Sequence, residues 1–415
     1  MNRQLAPEIK SIRSIKTGFP VNDQNIFRLN SEEGVFKLEI VFPSAGYGSI
    51  ENKFHGLYAT DLLLSGTASK TAHKIAEEID TLGGFVFKGC DYYSASVTIF
   101  GINENLPRLL HIVKDAVDNC VFSQSELEVY KSRKLSELNI NLSKTNYLAN
   151  RSINCLVMGD SHPYSRYSTE DTINSVDSQA LKAYKELYFR MPYFIFTGQE
   201  STPLEEILSN AGFLQTQYLP LSSPDTQPSE KGTEEVIAKA GSTQNSIRMG
   251  KMLPSRKHKD YFTISLFNLI LGGYFGSRLM KNIREEKGLT YGIHSSITPF
   301  KDYSLFKISS ECNSKLSLQV KQEIFNELHR LQNHLVEIEE FTVAKNYLLG
   351  ALARSFDGAF NISERLKAHL DLQSDNEYYT RYFDAINSIS PEEILSCANN
   401  YFSIDTLKYC VAGEV

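Results

Sequence analysis

Ser175-Val-Asp-Ser-Gln-Ala-Leu-Lys-Ala-Tyr-Lys-Glu-Leu-Tyr-Phe189 aligns without a gap on Ser388-Ile-Ser-Pro-Glu-Glu-Ile-Leu-Ser-Cys-Ala-Asn-Asn-Tyr-Phe402. Each stretch runs into a short apolar strand that closes on glycine, Phe196-Thr-Gly198 in one case and Val411-Ala-Gly413 in the other. Working back toward the N-terminus, Glu126-Leu-Glu-Val-Tyr-Lys131 lies over Glu340-Phe-Thr-Val-Ala-Lys345 at nearly the same offset, and Leu63-Leu-Ser-Gly66 lies near Ile270-Leu-Gly-Gly273. A long internal echo of this kind means that one structural unit is used twice. Two homologous domains of roughly 200 residues follow, within the usual domain range. They are expected over 1–218 and 233–415, joined by a linker over 219–232 that is rich in Pro, Ser and Thr and poor in apolar residues.

Within each half the hydrophobic period alternates between that of a strand and that of a helix. Phe36, Leu38, Ile40 and Phe42 alternate with Lys37, Glu39 and Val41, and Tyr93, Ala95, Val97 and Ile99 alternate with Ser94, Ser96 and Thr98. This predicts strands with one buried face. Ala72, Ile75, Ala76 and Ile79 have helical spacing and stop at Gly83-Gly84, while Leu106, Leu109, Leu110, Val113 and Val117 mark a second helix. Ser123-x-x-Glu126 predicts a capping box at the start of a third. Strand pairs close in sequence, mixed with long helices, give an α+β fold: two α/β sandwich domains, each a mainly antiparallel sheet with helices packed on one face.

A net charge of -6, with no long basic run, argues against a nucleic-acid partner. No stretch approaches the roughly 18 apolar residues that would span a bilayer, and Met1 to Lys10 lacks an apolar core, so a membrane is excluded too. The six cysteines are scattered singly, without a C-x-x-C pair, which fits a reducing cytoplasm or, had a signal peptide been removed, a periplasm.

Phe54-His-Gly-Leu-Tyr-Ala-Thr-Asp-Leu-Leu-Leu-Ser-Gly-Thr67, the following Ile75-Ala-Glu-Glu-Ile-Asp-Thr-Leu-Gly-Gly84, and Gly159-Asp-Ser-His-Pro-Tyr164 resemble the metal-binding region of the inverted-zincin peptidases, the pitrilysin, insulinase and mitochondrial-processing-peptidase family. Leu269-Ile-Leu-Gly-Gly-Tyr-Phe-Gly-Ser-Arg-Leu279 and Asn282-Ile-Arg-Glu-Glu-Lys-Gly-Leu-Thr-Tyr-Gly292 resemble the later segment of its bacterial members. The resemblance implies a processing-peptidase-like half-shell built from the two domains. Active relatives carry H-x-x-E-H, two zinc-binding histidines on one helix face with a glutamate as general base. In this chain Leu57, Thr60 and Asp61 stand at those three positions. Leucine has no lone pair for zinc, and threonine cannot take a proton from a metal-bound water, so the chemistry fails at two points. The family's third ligand is matched by Glu137, whose counterpart in the second repeat is Ala351. His55 is no substitute ligand: six residues from Asp61, it lies about 240° around a helix.

In two-subunit members of the family, the subunit that lacks the zinc motif supplies an arginine and a tyrosine across a shared chamber, and the resemblance places these at Arg284 and Tyr291. A guanidinium or phenol aimed at a developing oxyanion is sensible chemistry for peptide hydrolysis. The plainer reading pairs Arg284 with Glu285 or Glu286 on a solvated helix and buries Tyr291 at a strand end. His162 is a candidate chamber residue but reads more readily as a turn residue before proline. His329 and His334 do not share a helix face, and Gly272-Gly-Tyr-Phe-Gly276 lacks a phosphate-loop lysine and reads as a turn between helices.

The expected function is therefore a non-catalytic subunit of a heterodimeric zinc peptidase that degrades unfolded peptides. It is expected to bind no cofactor itself, to have a homologous zinc-bearing subunit as its partner, and to be open to homodimer formation in isolation. The alternative is a structural or peptide-binding homologue without hydrolytic activity, like the core proteins of the respiratory cytochrome complex.

Overall fold

A computed structural model describes residues 25–49, 53–213 and 226–414; the N-terminal decapeptide and the first half of the expected linker lie outside them. The strands fall into two five-stranded sheets. The first holds β1 (Ile26–Asn30), β2 (Val35–Phe42), β3 (Phe85–Cys90), β4 (Ala95–Ile102) and β5 (Tyr193–Gly198) in the order β1-β5-β2-β4-β3. The second holds β6 (Glu234–Ala238), β7 (Gln244–Pro254), β8 (Thr290–Pro299), β9 (Tyr303–Asn313) and β10 (Lys408–Gly413) in the order β6-β10-β7-β9-β8. The two orders are the same permutation, so the repeat read in the sequence is a repeat of topology. Each sheet is antiparallel except for one parallel edge pair, β1 with β5 and β6 with β10.

Eight helices belong to the first half: α1 (Lys53–Asp61), α2 (Ala72–Thr81), α3 (Leu106–Asn119), α4 (Gln124–Leu142), α5 (Thr145–Met158), α6 (Glu170–Asn174), α7 (Ser178–Tyr188) and α8 (Leu204–Asn210). Six belong to the second: α9 (Tyr261–Asn268), α10 (Ser317–Asn333), α11 (Ile338–Arg354), α12 (Ala359–Asp371), α13 (Tyr378–Ser388) and α14 (Pro391–Tyr401). The gapless repeat becomes α7 and α14, each eleven residues long and each opened by a side-chain cap, Asp177 to Ala180 N–H and Ser390 to Glu393 N–H. Helix α2 ends as expected before Gly83, whose φ of 62° suits glycine. At α4 only half of the expected capping box forms: the Ser123 hydroxyl accepts from Glu126 N–H at 3.4 Å. Both arms of a box close at Ser390 and Glu393 instead.

The expectation of one buried face per strand needs correction. Phe36, Leu38, Ile40, Phe194 and Phe196 pack with α2 and α3 in the first half's own core, as predicted. The opposite face is also dry, with Lys37 2%, Glu39 4% and Val41 0% exposed. It is covered by the second half: Val41, Tyr193 and Ile195 pack with Leu366 of α12 and with Tyr378 and Tyr379 of α13.

The second sheet is covered in the same way, with the halves exchanged. Ile247, Met249, Tyr409 and Val411 face α10 and α14 of their own half. Cys410, Ala412 and Leu305 face Ile153, Leu156 and Val157 of α5 from the first half. A Cβ added at Gly250 would stand 3.2 Å from both Ile153 and Val157, so this strand residue is small because a foreign helix lies on it. Polar contacts fix the docking: Arg248 Nε donates to Asn150 Oδ1 (3.0 Å) and Ser152 Oγ to Glu235 Oε2 (2.6 Å).

Because each half supplies a wall of the other's sheet, the two halves unfold together. Chemical denaturation followed by circular dichroism and by tyrosine fluorescence is expected to give one coincident transition. Ile153→Ala should lower stability by about 2–5 kcal/mol. Two separated transitions, with only the second half affected by the substitution, would contradict the exchange.

Candidate functional site

The positions singled out by the zinc-motif alignment lie on α1 and α4, which pack together through Phe54, Tyr58, Leu127 and Tyr130. Leu57 is partly buried against that cluster. Thr60 is fully buried, and its hydroxyl donates to the Gly56 carbonyl of its own helix at 2.7 Å, a local bond that leaves no proton acceptor aimed at solvent. Asp61 and Glu137 do approach one place, and a lysine holds it. Lys134 Nζ is 3.7 Å from Asp61 Oδ2 and 3.2 Å from Glu137 Oε2, and it lies over the Tyr130 ring at 5.2 Å. Tyr130 donates its hydroxyl to Asp61 Oδ2 at 2.5 Å, and Lys88 Nζ donates to the Asp61 carbonyl. Burial raises the Tyr130 phenol well above its usual range, and the bond to Asp61 adds to the shift; burial likewise lowers Lys88.

These residues do not fit zinc. An apolar side chain, a self-satisfied hydroxyl and two carboxylates that already share an ammonium are not the ligand set that zinc needs. Among the described residues no group of three His, Cys, Asp or Glu side chains could hold a metal. Glu137 is an exposed helix residue in contact with Lys134 and Arg133. Lys134 was not anticipated, although Tyr130, Lys134 and Glu137 have the spacing of one helix face.

Arg284 lies in a π-helical segment, Met280–Glu286; of the glycine-rich stretch expected to be a turn, Gly272 and Gly273 instead end another π-helical segment, Leu269–Gly273, and only the residues from Tyr274 on form the turn. Three contacts pin that segment to α10 and α11. Asn282 Nδ2 donates to Glu327 Oε1 (2.6 Å), Arg278 makes a bidentate pair with Glu340 (2.9 and 2.8 Å), and Lys287 pairs with Glu323 (2.5 Å). Arg284 itself is exposed and rests its guanidinium over the Phe275 ring at 5.6 Å; among the described residues it makes no ion pair with Glu285 or Glu286.

Tyr291 is not buried at a strand end: it is 66% exposed. The cause is a bulge at the start of β8, where the register jumps between Thr290 and Gly292 and Tyr291 is the extra residue. The Thr290 hydroxyl builds the bulge by donating to the Glu311 carbonyl (2.6 Å), accepting from Gly292 N–H (3.2 Å) and lying 2.8 Å from Ser310 Oγ. Arg284 and Tyr291 are thus held out on one helix-to-strand connection, but no hydrogen bond is recorded between them.

His162 lines no chamber. It is fully buried and opens the turn Pro163–Ser165, with Nδ1 accepting from Tyr164 N–H (3.1 Å). The hydrogen therefore sits on Nε2, which donates to the Tyr303 hydroxyl at 2.6 Å. Stacked on Tyr92 and edge-on to Phe300, the ring is part of the seam between the halves. His329 and His334 are exposed, as expected. The edge strand β3 lies beside α1 and presents Phe85 and Phe87 at 58% and 54% exposure, rings 4.7 Å apart.

Two substitutions test this geometry. Thr290→Val keeps the shape but strands the bulge's polar groups, and should cost about 1–3 kcal/mol in denaturant titration while lowering the solvent accessibility of Tyr291. Rebuilding the motif as Leu57→His, Thr60→Glu and Asp61→His should give zinc affinity that rises at least about tenfold when Lys134→Ala is added, because a like charge a few ångströms away is removed. Equal affinity with and without Lys134 in a calorimetric titration would show that the ammonium is not where the metal goes.

Comparison with known proteins adds a lineage to this geometry. The family model described as peptidase M16 inactive domain matches residues 176–348. The uncharacterized zinc protease YmxG of Bacillus subtilis is 23% identical over 371 residues, covering 83% of this chain and 84% of that protein. An uncharacterized zinc protease of Rickettsia bellii is 24% identical, covering 82% and 83%. Among solved structures, a peptidase M16 inactive domain from Pseudomonas fluorescens superposes with a TM-score of 0.80 at 21% identity, over 94% of this chain and 96% of that one. A protease from Helicobacter pylori gives 0.82 at 16% identity, over 93% and 96%. The two-sheet α+β fold is the one those structures share, and it is over residues 176–348 that the chain matches the family model described as peptidase M16 inactive domain.

Proposed function

We propose that this chain is the metal-free subunit of a two-chain zinc peptidase that degrades unfolded peptides. Its homologous halves, 1–218 and 233–415, form one side of the substrate chamber, and a homologous partner supplies the zinc and the general base. Arg284 and Tyr291 reach into the partner's site and stabilise the oxyanion that forms on the scissile carbonyl. An extended peptide adds to a sheet edge, for which β3, with exposed Phe85 and Phe87, is suited.

The observation that supports the reading most is a contrast between two places in the molecule. Where the family holds its metal, Lys134 closes the site; where two-subunit members place their arginine and tyrosine, both side chains are exposed on an anchored segment. The exposure of Tyr291 serves no packing role, and Arg284 is without an intramolecular carboxylate among the described residues.

The test is kinetic. With the zinc-bearing partner present, Arg284→Ala combined with Tyr291→Phe is expected to reduce kcat for an unfolded peptide by about a hundredfold or more, with subunit association unchanged. Undiminished turnover would remove the assigned role. Failure to recover any zinc-bearing relative with the native chain would favour the non-hydrolytic, peptide-binding alternative.

A further inference from the structure

The contact between α12 and the first sheet carries more charge than a packed interface needs. From α12 come Glu364, Lys367 and Asp371; from β2 come Lys37 and Glu39; from the turn between β3 and β4 comes Asp91. Lys37 Nζ donates to Ser363 Oγ (3.0 Å) and to Glu364, and lies 3.4 Å from Glu39 Oε2. Lys367 Nζ is shared by Asp91 Oδ2 (2.5 Å) and Asp371 Oδ2 (2.7 Å), while Ser94 Oγ donates to Asp371 Oδ1 (3.3 Å). Four carboxylates thus meet two ammonium groups. Glu39 and Asp371 are 4% and 7% exposed, whereas Glu364 and Asp91 reach solvent, so in the buried part of the cluster Asp371 has to share the Lys367 ammonium with a better-solvated rival.

We propose that this cluster is a proton-dependent latch between the two halves: α12 is held firmly on the first sheet while one buried carboxylate, Asp371, carries a proton, and loosens when that proton leaves. Asp371 is the member best placed for the role. It competes with Asp91 for one ammonium, it is more buried than Asp91, and protonation turns its carboxyl into a donor without breaking its contacts to Lys367 and Ser94.

The titration properties agree in direction. Burial, reinforced by Asp91 and opposed by Lys367, pushes Asp371 up to about 6, and burial raises Glu39 as well. Burial disfavours charge on Lys367, but Asp371 and Asp91 outweigh it, so Lys367 remains an ammonium throughout. The other groups near the carboxyl are Tyr93 and, through the shared cluster, Lys37 and Glu364. A carboxyl whose value is higher docked than undocked stabilises docking at low pH, and that stability is lost as pH rises through the docked value. The latch is therefore fully tight only below the undocked carboxyl's ordinary value of 3.8, and it loosens as pH rises through about 6.

This inference does not depend on the peptidase reading, and it is tested on the full chain alone. Amide hydrogen exchange in α12, corrected for intrinsic rates, should show an opening constant that rises on the order of tenfold between about pH 5 and about pH 7.5, while α3 shows no such rise. In Asp371→Asn the rise should vanish, with α12 as protected at the higher pH as the unsubstituted chain is at the lower. A flat profile in the unsubstituted chain, or an Asn variant that tracks it, overturns the latch. Should the variant fold poorly, the carboxyl carbon of Asp371 can be titrated directly by NMR: a midpoint near 6 supports the proposal, and one in the ordinary aspartate range near 4 overturns it.

Discussion

Each sheet of this molecule has two faces to keep dry and helices from its own half for only one of them. The exchange of α5 and α12 answers that constraint, and much of the chain's composition follows from it. Strand β5 is buried at all six of its positions, from Tyr193 to Gly198, because α3 lies on one side and α12 on the other. Gly250 is glycine because α5 crosses it. The seam between the halves is aromatic, with Tyr92, His162, Phe300 and Tyr303 interlocked, since large rigid rings fill an interface with little loss of side-chain entropy. The repeated unit is not a free-standing domain in the thermodynamic sense. Each copy is completed by the other.

The same constraint explains where charge sits. A strand that alternates Phe-Lys-Leu-Glu reads as half solvated, and in an isolated sheet Lys37 and Glu39 would face water. Here they face α12, where the desolvation of each ion must be offset by partners across the seam. The ion pairs orient the seam more than they stabilise it, because charges in a buried contact fix its register while returning little net free energy.

The architecture was legible because repetition is a strong signal: the gapless match between the sequences of α7 and α14 predicted two copies of one unit, and both sheets have the same strand order. Helices α2 and α3 were legible from period alone. The helix exchange was not, since periodicity tells which face of a strand is buried, never by whom. A near-continuous apolar strand such as Tyr193-Phe-Ile-Phe196 does carry a hint of burial on both faces. At the site, that Leu57 and Thr60 have side chains unsuited to holding zinc could be read directly from their chemistry. The π-helical segment around Arg284 and the bulge at Tyr291 could not, because both depend on tertiary anchors, Glu327 and Glu340 for one and Glu311 for the other.

The two ends of the candidate machinery differ in what they cost the fold, and that difference is the basis for assigning them different roles. The pairing of Asp61 and Glu137 is a low-energy arrangement: Lys134 lies between the two carboxylates and Arg133 adds a second positive charge beside Glu137. The connection from Arg284 to Tyr291 is different. A π-helical turn replaces the commoner i to i+4 bonds with wider i to i+5 ones such as Lys287 N–H to the Asn282 carbonyl, a bulge leaves a residue unpaired, and a tyrosine ring at 66% exposure forfeits the burial that such a side chain normally gains. Three side-chain anchors and the Thr290 hydroxyl are committed to keeping that geometry. The difference is one of local cost: the acids near Lys134 sit in ordinary pairing, whereas the Arg284 to Tyr291 connection keeps two large side chains in solvent by means of buried anchors.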